Sequence, residues 1–517
     1  FPLVQESASY GPAFSVPPNL IPADCTAITP PMLPLVSLTQ AQIDRVVQTV
    51  PGGVANVQDI YPLTPLQEGI LFHHQLSAQG DTYILPTILK LASGEKLDAF
   101  LAALQAVVNR HDILRSAIVW RGFERPVQVV LRRVELPVES FVLDAQRDCG
   151  AQLDERIDPR RLRMDLQQAP LLRIQKAQDP HSEQWYLVLL LHHIVSDHVS
   201  LEILVSEVFA VLAGQQALLP APLAYRGFVA QALAQLGQHD AEAFFRARLA
   251  DVDEPTAPFG LLDVHGDGSQ LEETRVELDA ALARAVRQTA RSRQVSVAAL
   301  FHAAWALVLA HCSGREDVVF GSVLSGRLQG TAGADRVLGM FINTLPLRLR
   351  LGGASVAQAV ERMHRELIEL LRHEQASLAL AQRCSGVAPS TPLFSAVLNF
   401  RHSALGEPPR DTGIELIASH ERTNYPFTLS VDDLGEGFAL TAQTEAHVGA
   451  ARLVAYLRTA LGALLRALEE SPDQSLLALS ILPETERGQV LDAFNASRHP
   501  YPRETTIAQL IAAQAQK

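Results

Sequence analysis

Residues 185–198 read WYLVLLLHHIVSDH: a seven-residue apolar run, two adjacent histidines, and an aspartate four positions past the second. The run is short, apolar and rich in β-formers, which predicts a buried strand. A helical pattern, VSLEILVSEVFAVLAGQ (199–215), follows directly. Histidines at the C-terminal end of a buried strand, just before a helix, sit where α/β layers place reactive groups. Strand side chains alternate, so His192 and His193 face opposite ways and only one can enter a cleft. With 17 histidines in 517 residues, roughly 0.03 HHxxxD matches are expected by chance. The competing reading is a histidine pair hydrogen-bonded inside a core. Asp197 lies one turn into the next segment, and a buried carboxylate there requires a positive partner.

Upstream, YILPTILKL (83–91), LRSAIVW (114–120), PVQVVL (126–131) and PLLRIQKA (170–177) predict strands, with a helix over LDAFLAALQAVVNRH (97–111). Before them, LTQAQIDRVVQTV (38–50) predicts a helix starting behind Ser37, and DIYPLTP predicts a turn leading into a helix near Pro65. Past residue 270 the same alternation returns. Strands are expected at EETRVEL, DVVFGSVLSGR, FSAVLNFRH and FTLSVDD, and helices at DAALARAVRQTARSRQ, 296–312 and ARLVAYLRTALGALLRALEE. Two successive α+β units of roughly 200 residues follow. Residues 1–37 and 486–517 have linker composition, and 221–270 joins a unit over 38–220 to one over 271–485.

The hydrophobic content of 48% is globular, and a net charge of −13 without a Lys/Arg cluster argues against nucleic-acid binding. Four scattered cysteines (Cys25, Cys149, Cys312, Cys384) argue against a disulfide framework and fit a reducing cytoplasm. FPLVQESASYGP lacks signal-peptide features. VSVAALFHAAWALVLAHC (295–312) carries His302 and His311 and reads as a buried helix, so no membrane partner is expected.

Two adjacent strand histidines cannot both face one ion, so no metal is expected. No GxSxG elbow is present. A lone histidine acting as general base or positioner remains, which suits a reaction between two bound substrates.

HHIVSDH resembles the HHxxxDG signature of nonribosomal peptide synthetase condensation domains, with His198 in place of the glycine. Companion stretches occur in order. NRHDILRSA (109–117) resembles the family's RHxxLR segment, YRGFVA (225–230) its tyrosine helix motif, and LGMFINTLPLR (338–348) its GxFxNT stretch. HEQASLAL (373–380) and NYPFTLSVDD (424–433) resemble the last two motifs. The opening YPLTPLQEGILFHH is unlike the SxAQ-type start of domains joining two L-residues. HHQLSAQGD (73–81) resembles the extra HHxxxxxGD motif of dual epimerization/condensation domains, with Gln75 where Ile or Leu is usual. An EGHGRE-like element is reduced to TEAHVGA (444–450).

The resemblance implies two chloramphenicol-acetyltransferase-like α+β lobes, a V-shaped pseudo-dimer around a central tunnel. It implies a catalytic set of His193, His192 and Asp197. His193 is the base, His192 packs behind it, and Asp197 holds the loop by an ion pair to Arg115 or Arg327. His73, His74, Gly80, Asp81, His198, Tyr225 and Asn343 are expected along the donor channel. No cofactor is expected in the domain itself. Its substrates would ride on the phosphopantetheine of upstream donor and downstream acceptor carrier proteins, beside an adenylation domain, in a bacterial secondary-metabolite synthetase. Rival readings are a condensation domain taking a pre-formed D-donor, a non-catalytic recruitment domain of the same fold, and a free coenzyme A acyltransferase.

Overall fold

The strand that carries the histidine pair lies inside a sheet. In the computed structural model, which describes residues 15–76, 80–264, 271–327, 333–402, 412–419, 423–497 and 504–516, the first seven strands are β1 (Val57–Pro62), β2 (Ile84–Leu91), β3 (Ser116–Val119), β4 (Val127–Leu131), β5 (Val138–Ser140), β6 (Leu172–Gln178) and β7 (Trp185–His192). Seven more follow: β8 (Leu271–Glu277), β9 (Asp317–Leu324), β10 (Asn343–Arg350), β11 (Ala396–His402), β12 (Ile414–Ser419), β13 (Phe427–Asp433) and β14 (Phe438–Glu445). Parts of the expected linkers (1–14 and 498–503) and Ser77–Gln79 of the second histidine motif lie outside the described residues.

Nearly every residue of β7 is buried, which explains why its sequence is a continuous apolar run rather than an alternating one. Antiparallel β2 and β6 flank it, with Ile84 opposite His192 and Leu172 opposite Leu191. The Gly94–Arg110 helix packs on β2 and β7 and against the His198–Leu212 helix. Its apolar positions Leu97, Phe100, Leu104, Val107 and Val108 form the buried stripe. In the second lobe a six-stranded sheet of order β10-β9-β11-β13-β14-β8 carries the core. The Val297–Ser313 helix is buried from Ala299 to Ala310, as its all-round apolar sequence requires. Among the described residues no single helix is long and apolar enough to cross a membrane.

The lobes are not cleanly divided along the chain. β12 leaves the second lobe and pairs antiparallel with β2, giving the first lobe's sheet the order β12-β2-β7-β6-β5. Val337, Leu338, Met340 and Phe341 pack into the first lobe's core. A partition at 220 and 271 therefore misses two exchanges. Local periodicity does not report them, because both depend on contacts more than a hundred residues apart.

Three further expectations are corrected. Thr39, not Ser37, caps the Gln40–Thr49 helix: its side chain accepts from Gln42 N while Gln42 reaches back to the Thr39 N–H. DIYP is strand rather than turn, because β1 pairs with β4 up to Pro62 opposite Val127. The proline-rich stretch before residue 38 is part of the fold. Ile21, Cys25, Ile28, Leu33 and Leu38 are buried against Ile43, Val46 and the β1-β4-β3 sheet, and Arg132 donates to the carbonyls of Ile21 and Pro22.

Candidate active site

β7 ends at His192, and the chain turns through His193–Val195 before the His198–Leu212 helix begins. The His193 N–H donates to the Tyr83 carbonyl at 2.7 Å. Its ring Nδ1 lies 2.5 Å from the Ser196 carbonyl. A carbonyl can only accept, so Nδ1 carries the proton and the neutral ring keeps its lone pair on Nε2. That is the tautomer a general base needs. His193 lines the cavity; His192, fully buried, does not.

His192 faces a second buried group. Its Nε2 lies 3.1 Å from Asp81 Oδ2, and the same oxygen lies 2.7 Å from His74 Nδ1. Ile194 N–H donates to His192 Nδ1 at 3.1 Å, which leaves the His192 proton on Nε2. Asp81 Oδ1 accepts from Tyr83 N at 3.1 Å. Burial pushes the Asp81 carboxyl up, but the His192 and His74 N–H groups outweigh it and the net shift is downward. Burial also holds His192 below its ordinary value, against the opposing pull of Asp81. The two histidine pairs, far apart in sequence, thus meet through one carboxylate.

His74, Asp81 and His192 also have the composition of a metal site. The hydrogen bonds argue against that use. To ligate, the histidines would have to release the protons they give Asp81 and carry them on the opposite nitrogens. Those nitrogens already face donors, Ile194 N–H at His192 and the Arg163 guanidinium 3.4 Å from His74 Nε2.

Asp197 caps the His198–Leu212 helix, its Oδ1 accepting from Ser200 N at 2.8 Å. Arg327 Nη2 closes on both Asp197 oxygens at 2.8 and 2.9 Å. Of the two candidate partners, Arg327 pairs with it and Arg115 does not. Arg115 donates instead to Gln58 Oε1 and the Leu131 carbonyl, bracing the β1 and β4 region. Arg327 also donates to the carbonyls of Ala334 and Val337 and stacks 3.9 Å over the Phe341 ring. The histidine loop is therefore anchored to the segment that the second lobe sends into the first.

A cavity of about 2130 Å³ runs between residues of both lobes. His73, His193, His198, Asn343 and Arg327 line it, whereas His74, Gly80, Asp81 and Tyr225 do not. His74 and Asp81 turn inward to His192. Gly80 is left-handed (φ +75°), and a Cβ there would come within 2.8 Å of the Pro159 carbonyl, so it serves the turn. Tyr225 is fully buried and donates to the Met340 carbonyl. The Asn343 amide donates to the carbonyls of Glu374 and Ala376, both at 2.7 Å, so it joins two motifs rather than offering free donors. His198 Nε2 pairs with Glu202 at 3.1 Å.

Sequence reading missed Tyr83, which lines the cavity with its hydroxyl 3.4 Å from both His73 Nδ1 and Asn424 Oδ1. Its position two residues past Asp81, opening a strand beside β7, was the available signal. The lining is mostly aliphatic near β2, β7 and the His198–Leu212 helix, through Leu85, Leu89, Leu189, Leu201 and Val205. Arg275 and Arg401, both paired with Asp432, supply charge from the second lobe.

Two α+β lobes enclosing a shared cavity, with one histidine at the end of a central strand, define the chloramphenicol-acetyltransferase-like fold. Residues 57–491 match the family described as Condensation domain, and the chain belongs to that family. It is 46% identical to malpinin synthetase and 44% identical to malpibaldin synthetase, both from Mortierella alpina, over 98% and 94% of its length. It spans only 6% and 9% of those two proteins. These fungal relatives do not support the bacterial setting expected above. A four-domain nonribosomal peptide synthetase solved with AMP and glycine superposes with a TM-score of 0.69 at 16% identity, over 89% of this chain and 37% of that one. Condensation domains carry no cofactor of their own.

Proposed function

We propose that the chain forms a peptide bond between aminoacyl or peptidyl thioesters carried by an upstream and a downstream carrier protein, after inverting the donor's α-carbon. The observation that carries this reading is the His193 ring, with Nδ1–H held by Ser196 and Nε2 left as acceptor at the cavity wall.

In condensation the acceptor α-amine attacks the donor thioester carbonyl. Nε2 accepts or orients the amine proton, the C–N bond forms, the C–S bond breaks, and the departing pantetheine thiolate takes up a proton. His192 and Asp197 act through the loop. In the preceding step Nε2 removes the donor Cα proton, which the thioester carbonyl acidifies. The proton is returned to the opposite face by the same Nε2–H after the substrate turns, which restores the neutral ring, or by a second acid while His193 gives its proton to solvent. The resemblance of residues 73–81 to the dual-type motif supports this step. So does the link from His74 and Asp81 to the catalytic loop. The flanks then read as links to a carrier protein before the domain and an adenylation domain after it.

The second reading is condensation of a pre-formed D-donor. One observation favours it: Glu445 and His447, of TEAHVGA, are absent from the cavity lining, so that segment supplies no second acid or base. An L-aminoacyl donor carrier in deuterated water separates the two. Deuterium at Cα with a D-configured residue in the dipeptide is the expected result. An unexchanged L-donor, with dipeptide formed only when the donor is supplied as the D-residue, would establish the second reading. Dipeptide with an unexchanged L-residue would likewise eliminate the epimerization step.

A further inference from the structure

We infer that Asp81 is a positioning residue for His193, acting through two hydrogen-bonded arms that grip the catalytic loop. The first arm runs from Asp81 Oδ1 to the Tyr83 N–H at 3.1 Å, and from the Tyr83 carbonyl to the His193 N–H at 2.7 Å. The second runs from Oδ2 to His192 Nε2 at 3.1 Å, and from His192 Nδ1 to the Ile194 N–H at 3.1 Å. The backbone on both sides of His193 is therefore tied to one carboxylate. His74 Nδ1, at 2.7 Å from Oδ2, is the brace that holds this carboxylate in place. Arg163 locks the brace from behind. Its Nη2 donates to the His74 carbonyl at 2.9 Å and its Nη1 to the Gly80 carbonyl at 3.1 Å.

The chemistry of the junction requires a carboxylate. Three N–H groups converge on Asp81, and an ionised carboxyl offers acceptors only. An amide in its place would turn N–H toward at least one of those donors. If it faced His192, that ring would have to move its proton to Nδ1, against the Ile194 N–H. A wrong tautomer in an orienting network costs catalysis without removing the base itself.

The inference rests on His193 being the base of the proposed reaction, so the test has one readout independent of turnover. Histidine ¹⁵N shifts of the 517-residue chain report each ring's tautomer, and steady-state kinetics with loaded carrier proteins report kcat and KM. In wild type His192 is expected as the Nε2–H tautomer. In Asp81→Asn either its resonance moves to the Nδ1–H form or, with the amide turned the other way, the Tyr83 N–H loses its acceptor and its own resonance moves. In both cases kcat falls about tenfold or more with the acceptor KM within about twofold. His74→Leu should lower kcat in the same way. His74→Asn, whose Nδ2–H stands where the imidazole Nδ1–H stood, should restore most of it. The His74 pair keeps the test decisive if Asp81→Asn fails to fold. Unmoved His192 and Tyr83 resonances in Asp81→Asn, an undiminished kcat in His74→Leu, or His74→Asn no better than His74→Leu would each overturn the inference. A wild-type chain that turns over no loaded donor overturns the functional reading, while the His192 and Tyr83 resonances still judge the hydrogen-bond arms.

Discussion

Arg327 and Asp197, 130 residues apart in sequence, meet as a buried pair in which one guanidinium nitrogen touches both carboxylate oxygens at 2.8 and 2.9 Å. Their side chains are only 7% and 1% exposed, so removing either charge strands the other away from water. Arg327→Met should therefore lower unfolding free energy by roughly 3–5 kcal/mol, read by urea denaturation. Adding Asp197→Leu should recover part of that loss. The recovery stays partial because Asp197 is also the cap of the following helix.

Glu374 gives a pH signature. Burial pushes its carboxyl up to about 8. A raised carboxyl keeps its proton in the fold while the unfolded chain has already lost it. Its unfavourable contribution is thus absent at low pH and grows as pH rises through the unfolded value toward about 8. Glu374→Gln removes the titration. Its melting temperature should exceed that of wild type at alkaline pH and match it near pH 4, about the ordinary carboxyl value.

Gly339 tests the exchanged segment. A Cβ there would lie 2.1 Å from the Tyr225 ring, whose hydroxyl is bonded to Met340 next door. Gly339→Ala must displace the ring or the segment, and a loss of about 1–3 kcal/mol is expected from thermal unfolding. Gly462→Ala, with nothing within 4 Å in the middle of a helix, is the control and should not destabilise.

Chelation should leave activity intact. The His74, Asp81 and His192 nitrogens and oxygens are committed to one another as hydrogen-bond donors and acceptor. Dialysis against a chelator, followed by elemental analysis and assay, should show no stoichiometric metal and unchanged turnover.

The legible and illegible parts of the molecule divide by range. The apolar run 185–191 and the helical stripe 97–108 announce β7 and the helix that covers it, because each reports its own periodicity. Strand alternation is not what separates His192 from His193: β7 stops at His192, and the turn through His193–Val195 brings the second ring to the cavity. The partner of Asp197 is narrowed to two arginines and no further, since local sequence says nothing about which side chain arrives from another lobe. β12 is missed for the same reason: its mate, β2, lies more than 300 residues upstream. Of the second histidine motif, His73 lines the cavity and His74, Gly80 and Asp81 do not. Adjacent helical residues point about 100° apart, so His73 reaches the cavity while His74 turns to Asp81.

The central claim is that His193 serves as the base in both reactions. Its sharpest measurement is His193→Ala, assayed in deuterated water for dipeptide formation and donor Cα exchange together. Both rates should fall by about 10²–10⁴ while the fold persists, because the ring's bond is to the Ser196 carbonyl, the backbone bond to Tyr83 is kept by alanine, and no buried charge is stranded. Retention of either peptide formation or α-exchange at the wild-type rate would contradict the account.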